Sequence, residues 1–382
     1  MRIVLLALIS LFLMGCDQPK TSIKVGVVLP LSGDYSIYGT QGVNGARLAV
    51  SEINAAGGVL DGHQLELVVQ DNRTQPAEAV RLSRELIQLD DVFALLGPVS
   101  SNARNAMLEV AEEFRVPMLY GIDYEGMQFS RYLFQHSAIP DHYVQPVVPY
   151  LITHFGPDFY IYGYDYIWPH KIAKSISEHA AQHNGVVVGT EFTRFGVSDY
   201  SDVLQRIDRS GAANLMLVLP GKDGFRFLQQ FSDYPFKRPV KVVAFAADES
   251  YIQAVAPEHL EGVITTLPFF SSVPSPTVAH YVANYYKQPG IDAPPSYASK
   301  SHYDLIYLLK QAIDRAGYLD REKVIDAMVG LNMYEGQEKV FIRPDHHFDL
   351  PMYLAEFRKG RIKVIKEFGI IRPADQRQVA VQ

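Results

Sequence analysis

The sequence predicts an α/β protein of two lobes, and three observations predict it. From residue 23 to residue 120, short runs of Val, Ile, Leu and Phe alternate with amphipathic helical patterns, as parallel βαβ units require. The same alternation starts afresh with "YLFQHS" at 132–137. The chain then ends differently, on strand-like runs joined by tight turns.

The elements follow in order. "IKVGVVLP" (23–30) reads as a strand, and a helix near 40–56 stops at Gly57-Gly58, a glycine signal typical of helix C-termini. "QLELVVQD" (64–71) is the second strand, 75–90 a helix, "VFALLGP" (92–98) a strand, with a helix from about 101 and "VPMLY" (116–120) after it. The second series comprises a helix over 142–155, "DFYIYGYD", a helix near 170–183, "GVVVGTEFT", a helix at 200–210, "ANLMLVLP" (213–220), a helix from 223, "KVVAFA" (241–246) and "GVITTLPF" (262–269). Helices at 299–316 and 321–330 come next. Tyr303, Ile306, Tyr307 and Ile313 stripe the first of them, and Gly317 ends it. "EKVFIRPD" and "MYLAEFRKGRIKVIKEF" close the ordered chain, and the polar tail from Arg372 is expected to be disordered.

The bulk composition narrows the function classes. Arg2, the apolar stretch Ile3 to Met14 and Gly15-Cys16 form a secretion signal, too short for the roughly 20 apolar residues of a spanning helix. "LMGC" resembles a bacterial lipobox, which implies cleavage before Cys16 and lipidation of that residue. Asp17 resembles the inner-membrane retention signal of such lipoproteins. Cys16 is the only cysteine among 382 residues, so an exported chain has no disulfides and depends on its cores. A net charge of −7 argues against a nucleic-acid partner.

Enzymatic readings find little support. Gly39, Gly42 and Gly45 open the first helix, but "LSGDYSIY" separates them from the strand and their spacing is G-x-x-G-x-x-G. A dinucleotide fingerprint needs its glycines directly at the turn. His179 and His183 stand at i, i+4 without the H-E-x-x-H pattern, and their place near a helix C-terminus suits the macrodipole. "DHH" (345–347) reads as a turn, and no G-x-S-x-G is present. No catalytic residue, metal or cofactor is expected.

Binding is the better reading, because ligands of such sheets sit beyond the strands' carboxyl ends and two facing lobes enclose a cleft there. "IKVGVVLPLSGDYSIYG…GARLAVSEINAAGGVLDG" resembles the opening of type I periplasmic binding proteins of the branched-chain amino acid class. "YEG" (124–126), "YDYIWP" (164–169), "PFFSSVPSP" (268–276) and "PDHHFDLPMYLAEF" resemble the amide- and urea-binding branch. The similarity runs over nearly all of 23–370. It implies two Rossmann-like lobes with three crossovers and a central ligand cleft. The expected lobes are 23–138 with 271–350, and 139–270 with 351–371. They lie between a signal peptide (1–15), a lipidated tether (16–22) and a flexible tail (372–382).

The resemblance also implies a function and a site. A short-chain amide or urea-like solute would be captured at the periplasmic face of the inner membrane and passed to an ABC permease. The alternatives are a branched-chain or apolar amino acid, or a ligand-sensing role. Ser101, flanked by Ser100 and Asn102, matches the serine that meets the ligand at a helix N-terminus, where free N–H groups receive an oxygen. The alternative role for Ser101 is an N-cap. Tyr120 and Tyr166 match pocket tyrosines of amide binders. Trp168 and Ile122 stand where relatives carry a tyrosine and a threonine, and Val99 replaces another tyrosine. Asp123, Asp165, Asp248 and Glu249 fall just past strand ends. Asp165 is kept in the amide branch and reads as structural. Asp123 is either a solvated loop acid or a counter-charge for a ligand ammonium, because a buried charge without a partner is costly. Tyr166 and Trp168 would share a face if extended backbone continued to Pro169.

Overall fold

The protein is described from a computed structural model over residues 21–60, 62–335 and 338–379, so Cys16 and the expected signal lie outside the described residues. The first series gives β1 (Ile23–Leu29), α1 (Ser36–Ala55), β2 (Leu65–Asp71), α2 (Pro76–Gln88), β3 (Ala94–Leu96), α3 (Ser101–Phe114), β4 (Met118–Tyr120) and β5 (Leu133–Gln135). These strands form one sheet in the order β2-β1-β3-β4-β5, and every pair is parallel. The apolar run of β1 is buried almost throughout, as a parallel strand covered by helices on both faces requires.

The second series gives α4 (Pro140–Phe155), β6 (Asp158–Tyr164), α5 (Ile167–Gln182), β7 (Val186–Thr193), α6 (Ser201–Ser210), β8 (Asn214–Val218), α7 (Lys222–Asp233), β9 (Lys241–Ala244), the single turns α8 (Tyr251–Ala254) and α9 (Pro257–Leu260), and β10 (Ile264–Leu267). The chain then returns to the first lobe as α10 (Pro276–Tyr285), α11 (Tyr297–Ala316), α12 (Arg321–Met328) and the hairpin β11 (Asn332–Glu335) with β12 (Glu338–Phe341). It crosses a third time into β13 (Leu350–Arg358) and β14 (Arg361–Ile371), an antiparallel pair on the edge of the second sheet. That sheet runs β14-β13-β10-β9-β8-β6-β7.

Close backbone packing joins the returning helix to the first lobe. A Cβ built on Gly45 of α1 would stand 1.8 Å from the Ser299 carbonyl oxygen of α11. Glycine therefore lets these two helices meet almost backbone to backbone. The glycines that imitate a nucleotide fingerprint serve packing.

The tail departs from its expected disorder. Arg343 donates to the carbonyls of Pro373 (2.6 Å) and Ala374 (3.0 Å), and the Ala374 N–H donates to Asp141 on α4 (2.9 Å). Gln376 opens α13 (Gln376–Val379) and is only 3% exposed. Its N–H donates to Asp345 (3.0 Å) and its side-chain oxygen accepts from the Met127 N–H (2.5 Å). Polar side chains here tie the tail's backbone to both lobes, which a composition-based reading overlooks.

Candidate functional site

A crevice opens between the two sheets, at the carboxyl ends of their strands. Its walls come from Tyr35 and Tyr38 after β1, Val99 to Ser101 after β3, and Ile122 and Asp123 after β4. The opposite wall supplies Tyr166 and Trp168 after β6, Pro220 after β8, Ala246 and Asp248 after β9, and Leu267 of β10. Tyr297 and Ala298, which open α11, close the first-lobe side. The lobes touch across the crevice: the Tyr35 and Tyr166 hydroxyls lie 3.3 Å apart, and the Tyr38 hydroxyl donates to the Ala246 carbonyl at 3.0 Å.

Seven of the eleven expected ligand residues line this crevice: Ser100, Ser101, Ile122, Asp123, Tyr166, Trp168 and Asp248. Four do not. Asn102 points to solvent. Asp165 is also exposed, at 68% of its side chain, and pairs with His170 at 2.7 Å. Tyr120 is buried behind the wall, under the Arg104 guanidinium at 5.3 Å from the ring centre. Glu249 lies one layer back, accepting from the Ser271 N–H at 2.5 Å.

Local structure explains these placements. Extended backbone ends at Tyr166, which caps α5, so Trp168 sits in a first helical turn and the strand-parity argument fails. Its indole N–H donates to the Tyr143 hydroxyl at 3.1 Å, which fixes the ring against the crevice. Tyr162 is a core residue, stacked on Phe227 at 5.2 Å between centroids. At α3 the N-cap is Ser100, whose hydroxyl oxygen accepts from the Ala103 N–H. Ser101 is free of capping and donates instead to Glu125 at 2.5 Å. Glu125 in turn accepts from Arg104 at 2.7 Å, and the guanidinium lies over Tyr124 at 4.3 Å. That ion pair is fully enclosed beneath the crevice floor.

The electrostatics of the crevice are one-sided. Asp123 is only 9% exposed, and its Oδ1 has no hydrogen-bond partner. Burial pushes its carboxyl up to about 8; Tyr297 and the Ala138 N–H pull it down, and the Asp248 charge raises it further. Asp248 is held by the Ser250 N–H (3.0 Å) and hydroxyl, yet burial still raises its pKa. Burial, then the charge of Asp248, pushes Glu249 up to about 8. Among the described residues no group of three or more His, Cys, Asp or Glu side chains could hold a metal ion.

Sequence reasoning missed Tyr35, Tyr38, Pro220, Ala246 and Tyr297. The rule that ligands gather beyond strand ends would have flagged the first four, since each ends or follows a strand the sequence predicts. Tyr297 comes from a helix start on the returning segment, which that rule does not reach.

Comparison with known proteins gives a consistent picture. Residues 22–361 match the family model described as periplasmic binding protein. The Leu/Ile/Val-binding protein homolog 6 of Brucella abortus (strain 2308) is 26% identical over 381 residues, covering 94% of this chain and 93% of that protein. Among solved structures, the branched-chain amino acid substrate-binding protein LivJ of Streptococcus pneumoniae in complex with isoleucine superposes with a TM-score of 0.81 at 23% identity, covering 92% of this chain and 100% of that one. A solute-binding protein of an ABC transporter from Rhodopseudomonas palustris HaA2, in complex with p-hydroxybenzoic acid, gives a TM-score of 0.85 at 23% identity, covering 95% and 100%. Both likenesses are of fold.

Proposed function

The chain belongs to the periplasmic binding protein family, and from that premise we propose that it is the solute receptor of an ABC transporter, closing its lobes over a small molecule that bears an ammonium group. The observation that supports this reading is the buried Asp123 carboxyl in the wall of the interlobe crevice, which Asp248 also lines; its Oδ1 has no hydrogen-bond partner, and no Lys, Arg or His lines the crevice. A solute ammonium lets such a group ionise against a partner, whereas a neutral amide leaves it a buried acid that must keep its proton. Aromatic walls from Tyr35, Tyr38, Tyr166 and Trp168 give rigid apolar faces with polar tips, suited to a compact solute.

An amino acid therefore ranks before the amide or urea-like solute that the "YDYIWP" and "PFFSSVPSP" motifs suggest. Its carboxylate would meet the N–H groups at the start of α3, beside Ser101. In the same reading the mature chain begins at a lipidated Cys16 and works at the periplasmic face of the inner membrane, delivering to a permease. A sensor subunit uses the same crevice, and a histidine kinase gene beside this one, in place of permease and ATPase genes, would favour it.

The experiment is a thermal-shift screen of residues 22–382 against amino acids, amides, urea and aromatic acids. A solute at 100 times its Kd should add about 2.7 kcal/mol of stability. A screen in which none of these classes raises the melting temperature refutes the receptor assignment.

A further inference from the structure

Resting on the reading of the crevice as the solute site, the geometry points to a solute that is a net cation with two positive centres, such as a short diamine or a basic amino acid, bridging Asp123 on one lobe to Asp248 on the other. The fifteen residues that line the crevice include two carboxylates and no Lys, Arg or His. Two enclosed cations lie behind the lining and both are committed, Arg104 to Glu125 and the faces of Tyr124 and Tyr120, and Lys300 to Asp304. Glu249 stands behind Asp248 as a further acid. With Glu125 answered by Arg104, three acids, Asp123, Asp248 and Glu249, stand in or behind a lining that holds no cation.

A zwitterion does not relieve this arrangement. Its ammonium answers one carboxylate, but its own carboxylate restores the negative charge and would sit near Glu125, to which the Ser101 hydroxyl already donates. A second positive centre answers the second aspartate, so that both buried charges are paired, as buried charges are in general. The two acids are on opposite sides of the cleft: Asp123 follows β4 of the first sheet and Asp248 follows β9 of the second. One solute that engages both holds the lobes together, which couples recognition to closure. The surrounding rings suit a cation as well, because tyrosine and tryptophan faces attract positive charge.

The test is titration calorimetry of the full mature chain, freed of carried-over solute, with 1,4-diaminobutane, L-arginine, L-leucine, acetamide and benzoate. Saturable binding of the diamine or arginine at least 100-fold tighter than leucine and acetamide is expected. Asp123→Asn and Asp248→Asn should each weaken the dication by 30-fold or more. Both variants replace a buried acid with an amide of the same shape, so their empty forms should melt close to the parent near neutral pH; if one fails to fold, the other carries the comparison. Equal or tighter binding of leucine, acetamide or benzoate overturns the dication and leaves the receptor assignment standing. Heat-silent mixing with all five compounds, together with no thermal shift, overturns both.

Discussion

Freed of solute, the protein should lose stability as the pH rises from about 6.5 to 8. In the folded chain Asp123 and Glu249 hold their protons up to a pKa of about 8, driven by burial. In an unfolded chain such groups ionise near roughly 3.9 and 4.3. Between those limits the folded state binds more protons than the unfolded one, so unfolding free energy falls by about 1.4 kcal/mol per pH unit for each group. Buried histidines act in the opposite sense: burial lowers His346, and three others fall further. His142 is pushed down to about 3, and His302 and His347 to about 4, by burial first in each case. Below their unfolded pKa of about 6.5 the unfolded chain binds more protons, and stability rises with pH there. Three histidines outweigh two acids, which puts the maximum near pH 6.5 on this arithmetic. Above it the acids come to dominate, with a limiting combined slope of about −2.7 kcal/mol per unit; the histidines' remaining protons and the acids' own ionisation near pH 8 bring the net loss to about 2 kcal/mol by pH 8. Asp248 titrates in the same direction. Urea denaturation followed by circular dichroism at four pH values between 6.5 and 8 measures this directly. Asp123→Asn should roughly halve the slope. A stability that stays level or rises over that interval would refute the reasoning from buried, unpaired carboxylates.

Three other outcomes are expected. Arg104→Met strands Glu125 beneath the crevice and should cost about 3–5 kcal/mol in the same denaturation assay, most of it regained when Glu125→Leu is added. Trp168 is the only tryptophan and lines the crevice, so saturation with a binding solute should shift its emission; an unchanged spectrum would count against its place in the wall. Gly45→Ala forces α1 away from the Ser299 carbonyl and should lower stability by about 1–3 kcal/mol, whereas an unaltered denaturation midpoint would mean the α1–α11 contact has slack.

The central strands were legible because each is a short apolar run covered on both sides, and the crossovers because the pattern restarts and later changes kind. The terminal hairpin is the clearest case: "MYLAEFRKGRIKVIKEF" folds back at Lys359-Gly360 with its two runs paired. Parts of the site were legible for the same reason, since Ser101, Asp123, Tyr166 and Asp248 all follow strands. What failed is orientation. One residue separates Asp165, which faces water and His170, from Tyr166, which faces the crevice. The turn into α5 decides between them, and no periodicity encodes that turn. Tyr120 was misplaced for another reason: it is the last residue of its strand, and the buried guanidinium of Arg104 claims its ring. An ion pair between α3 and the segment after β4 leaves no local pattern in sequence.

The fastened tail changes what hinge motion means in this chain. Three covalent passages join the lobes, and the tail adds a fourth link made only of hydrogen bonds, running from Asp141 of the second lobe to Met127 of the first. Opening must either turn about that link or detach it. Extra mass appended after Val379 would therefore load the joint itself. Distance labels meant to follow closure belong on the outer helices α2 and α7, where the C-terminal segment can be left as it is.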